Sequence, residues 1–346
     1  MNRKPGYPFI KKVGTTTIFA LILFLFAIIT GALFDELIFG NASIISDFIF
    51  SAGMLFIILH VILTYRINWR WLTGFRNAWK KHAREILLVV PLILFSLSMI
   101  WLTALFVGLL SEDLLAYLFA DRMGEGPADP FWSVMDSIIF FTAVILAAPI
   151  LEEYLFRGIL LTRWKYKWNV TRAIMVTSFI FAILHLDFFG AFVFSVVTCL
   201  IYIKTGSLII PIIIHMMNNL SALYYSYVLP SGFVKALSLD FTMFENVIAF
   251  TPYAAVFILV SVPFLGYWIM KNWPDKDFLL PYEVLHERYA PEAAPPDLPP
   301  KLPDQGNFKP LNRYCVDRSA GDAEYGNEMQ PGNFRRITAE PMKKRW

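Results

Sequence analysis

Up to about residue 270 the chain alternates long apolar runs with short polar loops, and then the pattern stops. A bilayer-spanning helix needs about 20 mostly apolar residues. Eight stretches approach that length, at about 15–34, 44–65, 86–110, 133–161, 172–187, 189–204, 207–229 and 248–270. The fifth and sixth are short and nearly continuous. The first follows Lys11 and Lys12, but it is too long for a signal peptide and lacks a small-residue cleavage site. Beyond about 275 the composition is polar, with the proline-rich stretch PEAAPPDLPPKLP at 291–303 and a basic end at Arg335, Arg336, Lys343, Lys344 and Arg345. Such a tail is expected to be extended and mostly disordered.

The charges in the loops orient these runs, because cytoplasmic loops carry the excess of Lys and Arg. The N-terminus holds Arg3, Lys4, Lys11 and Lys12, whereas the next loop holds Asp35 and Glu36. The second loop is basic (Arg66, Arg70, Arg76, Lys80, Lys81, Arg84), and the third is acidic, with Glu112, Asp113, Asp121, Glu125 and Asp129 against Arg122. Arg163, Lys165, Lys167 and Arg172 follow the fourth run, Lys204 follows the sixth, and Lys271 and Lys276 follow the last. This alternation predicts an all-α, polytopic transmembrane bundle of about eight spans. The expected protein is multi-pass in the plasma or inner membrane, with both termini and the tail in the cytoplasm. The expected organisation is three N-terminal spans over 1–129, a core over 130–230, a last span over 231–274, and the tail over 275–346.

Composition supports this class. The 346 residues would allow two or three soluble domains, but 57% are hydrophobic and only 16% charged, where soluble domains run nearer a quarter charged. A net charge of +3 gives no basic field for nucleic acid. Cys199 lies in an apolar run and Cys315 in the tail, which suggests neither a disulfide framework nor a thiol metal site.

Ionisable side chains at bilayer depth are costly and face a bundle interior or a wet cavity. They concentrate in the second half: Glu152, Glu153, Arg157, His185, His215, Asn218 and Asn219. Asp47 and His60 lie near the two ends of the second span, where water is close. In LEEYLFRGIL (151–160), Glu153 and Arg157 are i, i+4 and can pair on one face. Glu152 points about 100° away from Glu153 and is left available. Counted at about 1.5 Å per residue from the cytoplasmic flanks, Glu152 lies roughly 16 Å deep, His185 roughly 20 Å, and His215 and Asn219 roughly 12 and 18 Å. Three helices thus bring polar groups to one level.

These residue types suit peptide hydrolysis without a serine or cysteine nucleophile. A buried glutamate can act as general base on water, a histidine can polarise the carbonyl or orient the water, and an asparagine amide can donate to the oxyanion. Glu, His and His are also zinc ligand types. No H-E-x-x-H pair is present, and a metal held between three helices stays open.

EEYLFRG at 152–158 resembles the E-E-x-x-F-R-G signature of the CAAX protease and bacteriocin-processing family of intramembrane endopeptidases. FAILH (Phe181 to His185) is similar to its F-x-x-x-H motif, and HMMNN (His215 to Asn219) to its H-x-x-x-N motif, in the same order. The resemblance covers about 130–230. It implies Glu152 as the base acting on water, assisted by His185 and His215, with Asn219 in the oxyanion hole, Glu153 and Arg157 supporting the site, and no metal cofactor. It also implies membrane lipids and a peptide or a prenylated or otherwise membrane-anchored protein as partners, cut near the cytoplasmic half of the membrane. A non-proteolytic membrane partner or immunity protein on the same scaffold is the alternative. A transporter would instead show paired repeats with interrupted helices in both halves.

Overall fold

The computed structural model describes residues 14, 44–75, 78–119, 138, 141–185, 187–223, 241–275, 278–289, 314–316 and 334–336. The predicted first span (15–34), the acidic residues 121–129 and the proline-rich stretch lie outside them. The described residues are almost entirely helical, as the apolar runs predict. The exceptions among them are the antiparallel strands Tyr314–Val316 and Phe334–Arg336 and an isolated antiparallel bridge between Gly74 and Ser207.

Helix α1 is Ile44–Thr64 and ends on Arg66, whose left-handed φ of 51° turns the chain into the short α2, Trp69–Thr73. Asn68 caps α2 by accepting from the Arg70 N–H. Helix α3, Ala78–His82, passes through a 3₁₀ segment, Ala83–Leu88, into α4, Val89–Leu110, and α5 is Glu112–Phe119. The rod α6 spans 143–167 and changes register along its length. It is π-helical at Ala143–Ala147, α-helical at Ala148–Glu153, π-helical at Tyr154–Leu160 and α-helical at Leu161–Lys167. Helix α7 is Val170–Ile183, α8 is Phe188–Thr205, α9 is Ile209–Leu223, α10 is Phe244–Asn272 and α11 is Pro281–Tyr289.

The runs at 172–187 and 189–204, nearly continuous in sequence, are separate helices. Asp187 makes the break, because its carboxylate caps α8 by accepting from the Gly190 N–H at 3.0 Å. A Cβ at Gly190 would lie 1.7 Å from that carboxylate, so glycine is what allows the cap.

Three of the described helical segments are long and apolar enough to cross a bilayer: Lys80–Leu110, Phe188–Thr205 and Phe244–Asn272. Gly53–Thr64, Val170–Ile183 and Ile209–Leu223 are shorter apolar segments. With its apolar surface, the chain is an integral membrane protein.

The main core joins α1, α2, α6, α7, α8 and α9 around residues such as Met54, Leu72, Phe156, Phe181, Val197 and Ile214. A smaller cluster of Trp101, Ala104, Val107, Leu115, Phe241, Val247, Phe250 and Ala254 holds α10 against α4 and α5. There the Trp101 indole donates to the Val247 carbonyl at 2.9 Å. At the other end of the bundle two glycines meet. Gly74 and Gly206 both have positive φ, at 77° and 71°. A Cβ on Gly74 would lie 2.0 Å from the Gly206 carbonyl oxygen. That close approach lets the Phe75 N–H reach Gly206 O at 2.9 Å and the Leu208 N–H reach Thr73 O at 2.9 Å, which fastens α2 to the α8–α9 turn.

The stretch read as tail begins with a folded element. Tyr282 and Leu285 of α11 and Leu280 just before it are buried, and the ring of Tyr282 meets Trp71 of α2 edge-on at 5.7 Å. Lys165 on α6 bonds both carboxylate oxygens of Glu283, whose Oε2 also accepts the Leu280 N–H.

Candidate active site

The rod α6 carries two adjacent carboxylates that do different things. Glu153 is fully buried, and its Oε1 accepts from Arg157 Nη1 at 2.8 Å and from His215 Nδ1 at 2.9 Å. The pairing of Glu153 with Arg157 that the sequence spacing predicts is therefore present, and a histidine on α9 joins it. An ion pair in a low-dielectric interior holds only with good geometry and further hydrogen bonds. Arg157 has both. Its Nη2 bonds Thr198 Oγ1 on α8, and its guanidinium lies over the Phe181 ring, 4.7 Å from the centroid.

Glu152 faces the other way. Its Oε2 lies 3.9 Å from His185 Nε2 and 3.8 Å from His215 Nε2. That atom is buried and has no hydrogen-bond partner among the described residues. The orientation of both imidazoles follows from their other nitrogens. His185 Nδ1 lies 2.7 Å from the Phe181 carbonyl, which can only accept, so Nδ1 carries the proton. His215 Nδ1 faces the Glu153 carboxylate, which in its ionised form also only accepts. In their neutral forms both histidines thus present Nε2 lone pairs toward the oxygen of Glu152.

Phe181, the first residue of FAILH, is the floor of this arrangement. Its ring stacks on His185 at 4.3 Å and meets His215 edge-on at 5.9 Å, while Phe194 meets His215 at 5.0 Å. The His215 side chain is 4% exposed, Glu152 13% and His185 35%. The site therefore opens on the His185 side.

Asn219 sits differently. Its Nδ2 donates to the Val144 carbonyl at 3.0 Å. The local register of α6 explains why that carbonyl is free. The Ala148 N–H bonds Ala143 O, an i to i+5 link, and the same register would take Val144 O to residue 149. Residue 149 is proline and has no N–H. Asn219 thus satisfies a backbone acceptor that Pro149 leaves open and ties α9 to α6. One amide hydrogen is committed there, and the second is available for the oxyanion role read from sequence.

The structure therefore brings Glu152, His185 and His215 to one point, places Glu153 and Arg157 behind them, and puts Asn219 against the rod. His60 is exposed and stacked on Phe56, and Cys199 is buried. Asp47's side chain lies outside what is described. Sequence reasoning missed Thr198 and named Phe181 only as the first residue of the FAILH motif, without a role. The fixed four-residue step from Phe181 to His185 was the available signal for the ring, and a hydroxyl within an apolar helix was the signal for Thr198.

Comparison with known proteins finds relatives of the segment that carries this site. Residues 134–221 match the family described as Type II CAAX prenyl endopeptidase Rce1-like. An Escherichia coli protein named only as an uncharacterized 24.3 kDa protein is 27% identical over 139 residues, which is 37% of this chain and 59% of that one. The Membrane-embedded CAAX protease MroQ of Staphylococcus aureus (strain USA300) is 35% identical over 110 residues, 28% of this chain and 42% of that one. The chain thus spans less than two thirds of the length of either relative. No solved structure matches it. The matched segment, 134–221, contains every motif residue that builds the site, and over that segment the chain is similar to the Rce1-like CAAX proteases.

Proposed function

We propose that the protein is an intramembrane endopeptidase in which Glu152 activates water. The observation that carries this reading is the pair of imidazole Nε2 atoms at 3.8 and 3.9 Å from one buried oxygen of Glu152. These separations are too long for direct hydrogen bonds and right for one small bridging group. A water oxygen about 2.8 Å from Glu152 Oε2 and from one imidazole Nε2 fits either separation, the two partners lying roughly 85° apart as seen from the water and each receiving one of its hydrogens. Zinc ligands at about 2.0–2.1 Å would have to open to roughly 140°, well beyond the tetrahedral angle. The reading therefore takes water, not a metal, as the reacting group, and a chelator added to the purified enzyme tests that choice.

In this mechanism Glu152 takes a proton from water as the oxygen attacks the scissile carbonyl carbon. The free amide hydrogen of Asn219 donates to the developing oxyanion, and His185, at the open side, does so once its Nε2 is protonated. The C–N bond then breaks as the proton held by Glu152 passes to the leaving nitrogen. His215, backed by the Glu153 carboxylate, holds the water and steadies positive charge as it develops. The substrate is a membrane-associated protein or peptide, prenylated or not, reached from the cytoplasmic half of the bilayer, with both termini of the chain on that side. The basic flank at Arg163, Lys165 and Lys167, about 11 to 15 residues from Glu152 along the rod, supports that side of entry.

The experiment is a comparison of wild type with Glu152→Gln in the native host, read for membrane peptides that accumulate in the variant. Accumulation of uncut precursors is expected. Equal peptide profiles in a folded, inserted variant would remove Glu152 as base. They would favour the alternative of a non-proteolytic membrane partner on this scaffold.

A further inference from the structure

The hydrogen bonds behind His215 continue past Glu153 onto a third helix. Arg157 bonds Glu153 through Nη1 and Thr198 Oγ1 through Nη2. A guanidinium can only donate, so the Thr198 oxygen must accept. The hydroxyl proton of Thr198 goes to backbone carbonyls of its own helix, Phe194 O at 2.8 Å and Ser195 O at 3.1 Å. The donors that link these four residues are thereby fixed, while Arg157 Nε and Glu153 Oε2 have no hydrogen-bond partner among the described residues. Thr198 donates to α8 and accepts from Arg157, and Arg157 and His215 both donate to Glu153. His215 is left with its proton on Nδ1 and its Nε2 toward Glu152.

A hydroxyl bonded to the carbonyl four residues back is the ordinary state of Ser and Thr in an apolar helix. Ser98, Thr103 and Ser261 show it here. Thr198 differs because it also accepts from a guanidinium, and its residue is fully buried, as are Arg157 and Glu153. Removing that acceptor leaves a charged N–H without its partner beside Glu153. The guanidinium then turns toward other acceptors, and the carboxylate that orients His215 turns with it.

We propose that Thr198 is a positioning residue for His215, acting through Arg157 and Glu153 to fix which imidazole nitrogen faces Glu152. This rests on the reading of Glu152 and His215 as groups that touch the reacting water. Thr198 itself touches neither water nor substrate.

The test uses the full chain in lipid nanodiscs with nitrogen-15-labelled histidines, the His215 signals being assigned by difference against His215→Gln. Activity is measured in parallel on an internally quenched peptide that carries a farnesylated cysteine three residues before its C-terminus. In the wild type His215 is expected as the single tautomer protonated at Nδ1. Thr198→Val is expected to give mixed tautomers and a kcat about tenfold lower, with KM within about twofold. Thr198→Ser, which keeps the acceptor, is expected to restore both. Thr177→Val removes another buried hydroxyl, one without a hydrogen-bond partner among the described residues, and is expected to change neither. If Thr198→Val does not fold, Thr198→Cys, a much weaker acceptor, is read by the same two measures. A single unchanged tautomer together with an unchanged kcat in a Thr198 variant lacking the acceptor overturns the proposal. A wild type that leaves the peptide uncut counts against the protease reading with this substrate, while the tautomer measurement still decides the role of Thr198.

Discussion

Helices α8 and α10 are both apolar enough to cross a membrane, yet one is 72% buried inside the protein over its most apolar window and the other 22%. Their neighbours differ accordingly. α8 packs against α7 and contributes Thr198 to the network behind the site. α10 packs on α4 and turns Val256, Leu259, Tyr267 and Met270 outward. Without a membrane those exposed side chains would be a liability, and against lipid tails they are ordinary. Hydropathy finds both helices and does not separate them. What separates them is where the buried hydroxyls bond: α8 buries Ser195, Thr198 and Thr205, with Thr198 accepting from Arg157 on another helix, whereas the buried Ser261 of α10 bonds the Phe257 carbonyl of its own helix. α10 carries Pro252 and Pro263 inside the helix. Backbone groups freed by proline in a spanning helix can be satisfied by local adjustment, so their presence there is consistent with a structural, lipid-facing role.

That contrast can be broken or sharpened by substitution. The largest expected effect is on activity. Glu152→Gln should lower cleavage by about 10²–10⁴-fold, the usual worth of a general base, with no loss of thermal stability. A matching fall in melting temperature would mean that Glu152 supports the fold rather than the chemistry. Next comes Glu153→Gln, which leaves Arg157 buried without its counter-charge. A loss of about 3–5 kcal/mol is expected from removing one member of a buried pair, read as lower yield and a lower melting point in detergent. Lys165→Met removes the ammonium that bonds Glu283 at the end of the rod and should loosen α11 from α2. Faster limited proteolysis near 275–289 is the readout, and an unchanged digestion pattern would show that the apolar contacts of Leu280 and Tyr282 suffice. The smallest effect belongs to the lipid-facing side. Leu259→Ala, at a side chain 73% exposed, should stay within about 0.5 kcal/mol and leave activity intact. A large loss there would reveal a protein contact in the membrane and make α10 resemble α8 after all.

Much of this arrangement was legible in the sequence because its cause is local. The i, i+4 spacing of Glu153 and Arg157 fixes their pairing, and the cost of charge in lipid makes Glu152, His185 and His215 conspicuous. The helix boundaries came close because Asn68, Asn169 and Asp187 are ordinary caps. The unread parts depend on register and on distant partners. Nothing in the spacing says that α6 changes to π-helical register on both sides of the carboxylates, so the meeting of Asn219 with Val144 could not be counted from the sequence. Thr198 lies 41 residues from Arg157, and only the fold relates them. Helix α11 had a readable signal that was overlooked: Leu280, Pro281 and Glu283 form a start sequence with proline at the first position and a carboxylate two residues later.

Helix α11 has a practical consequence for anyone cutting or tagging this protein. A truncation placed at the end of the last long apolar run, near 272, would look harmless by hydropathy. It would delete the carboxylate that neutralises Lys165 and the apolar residues that cover Trp71, leaving a bare ammonium and an uncovered indole at the foot of the rod that bears the carboxylates. A C-terminal boundary placed after Tyr289 keeps all of α11.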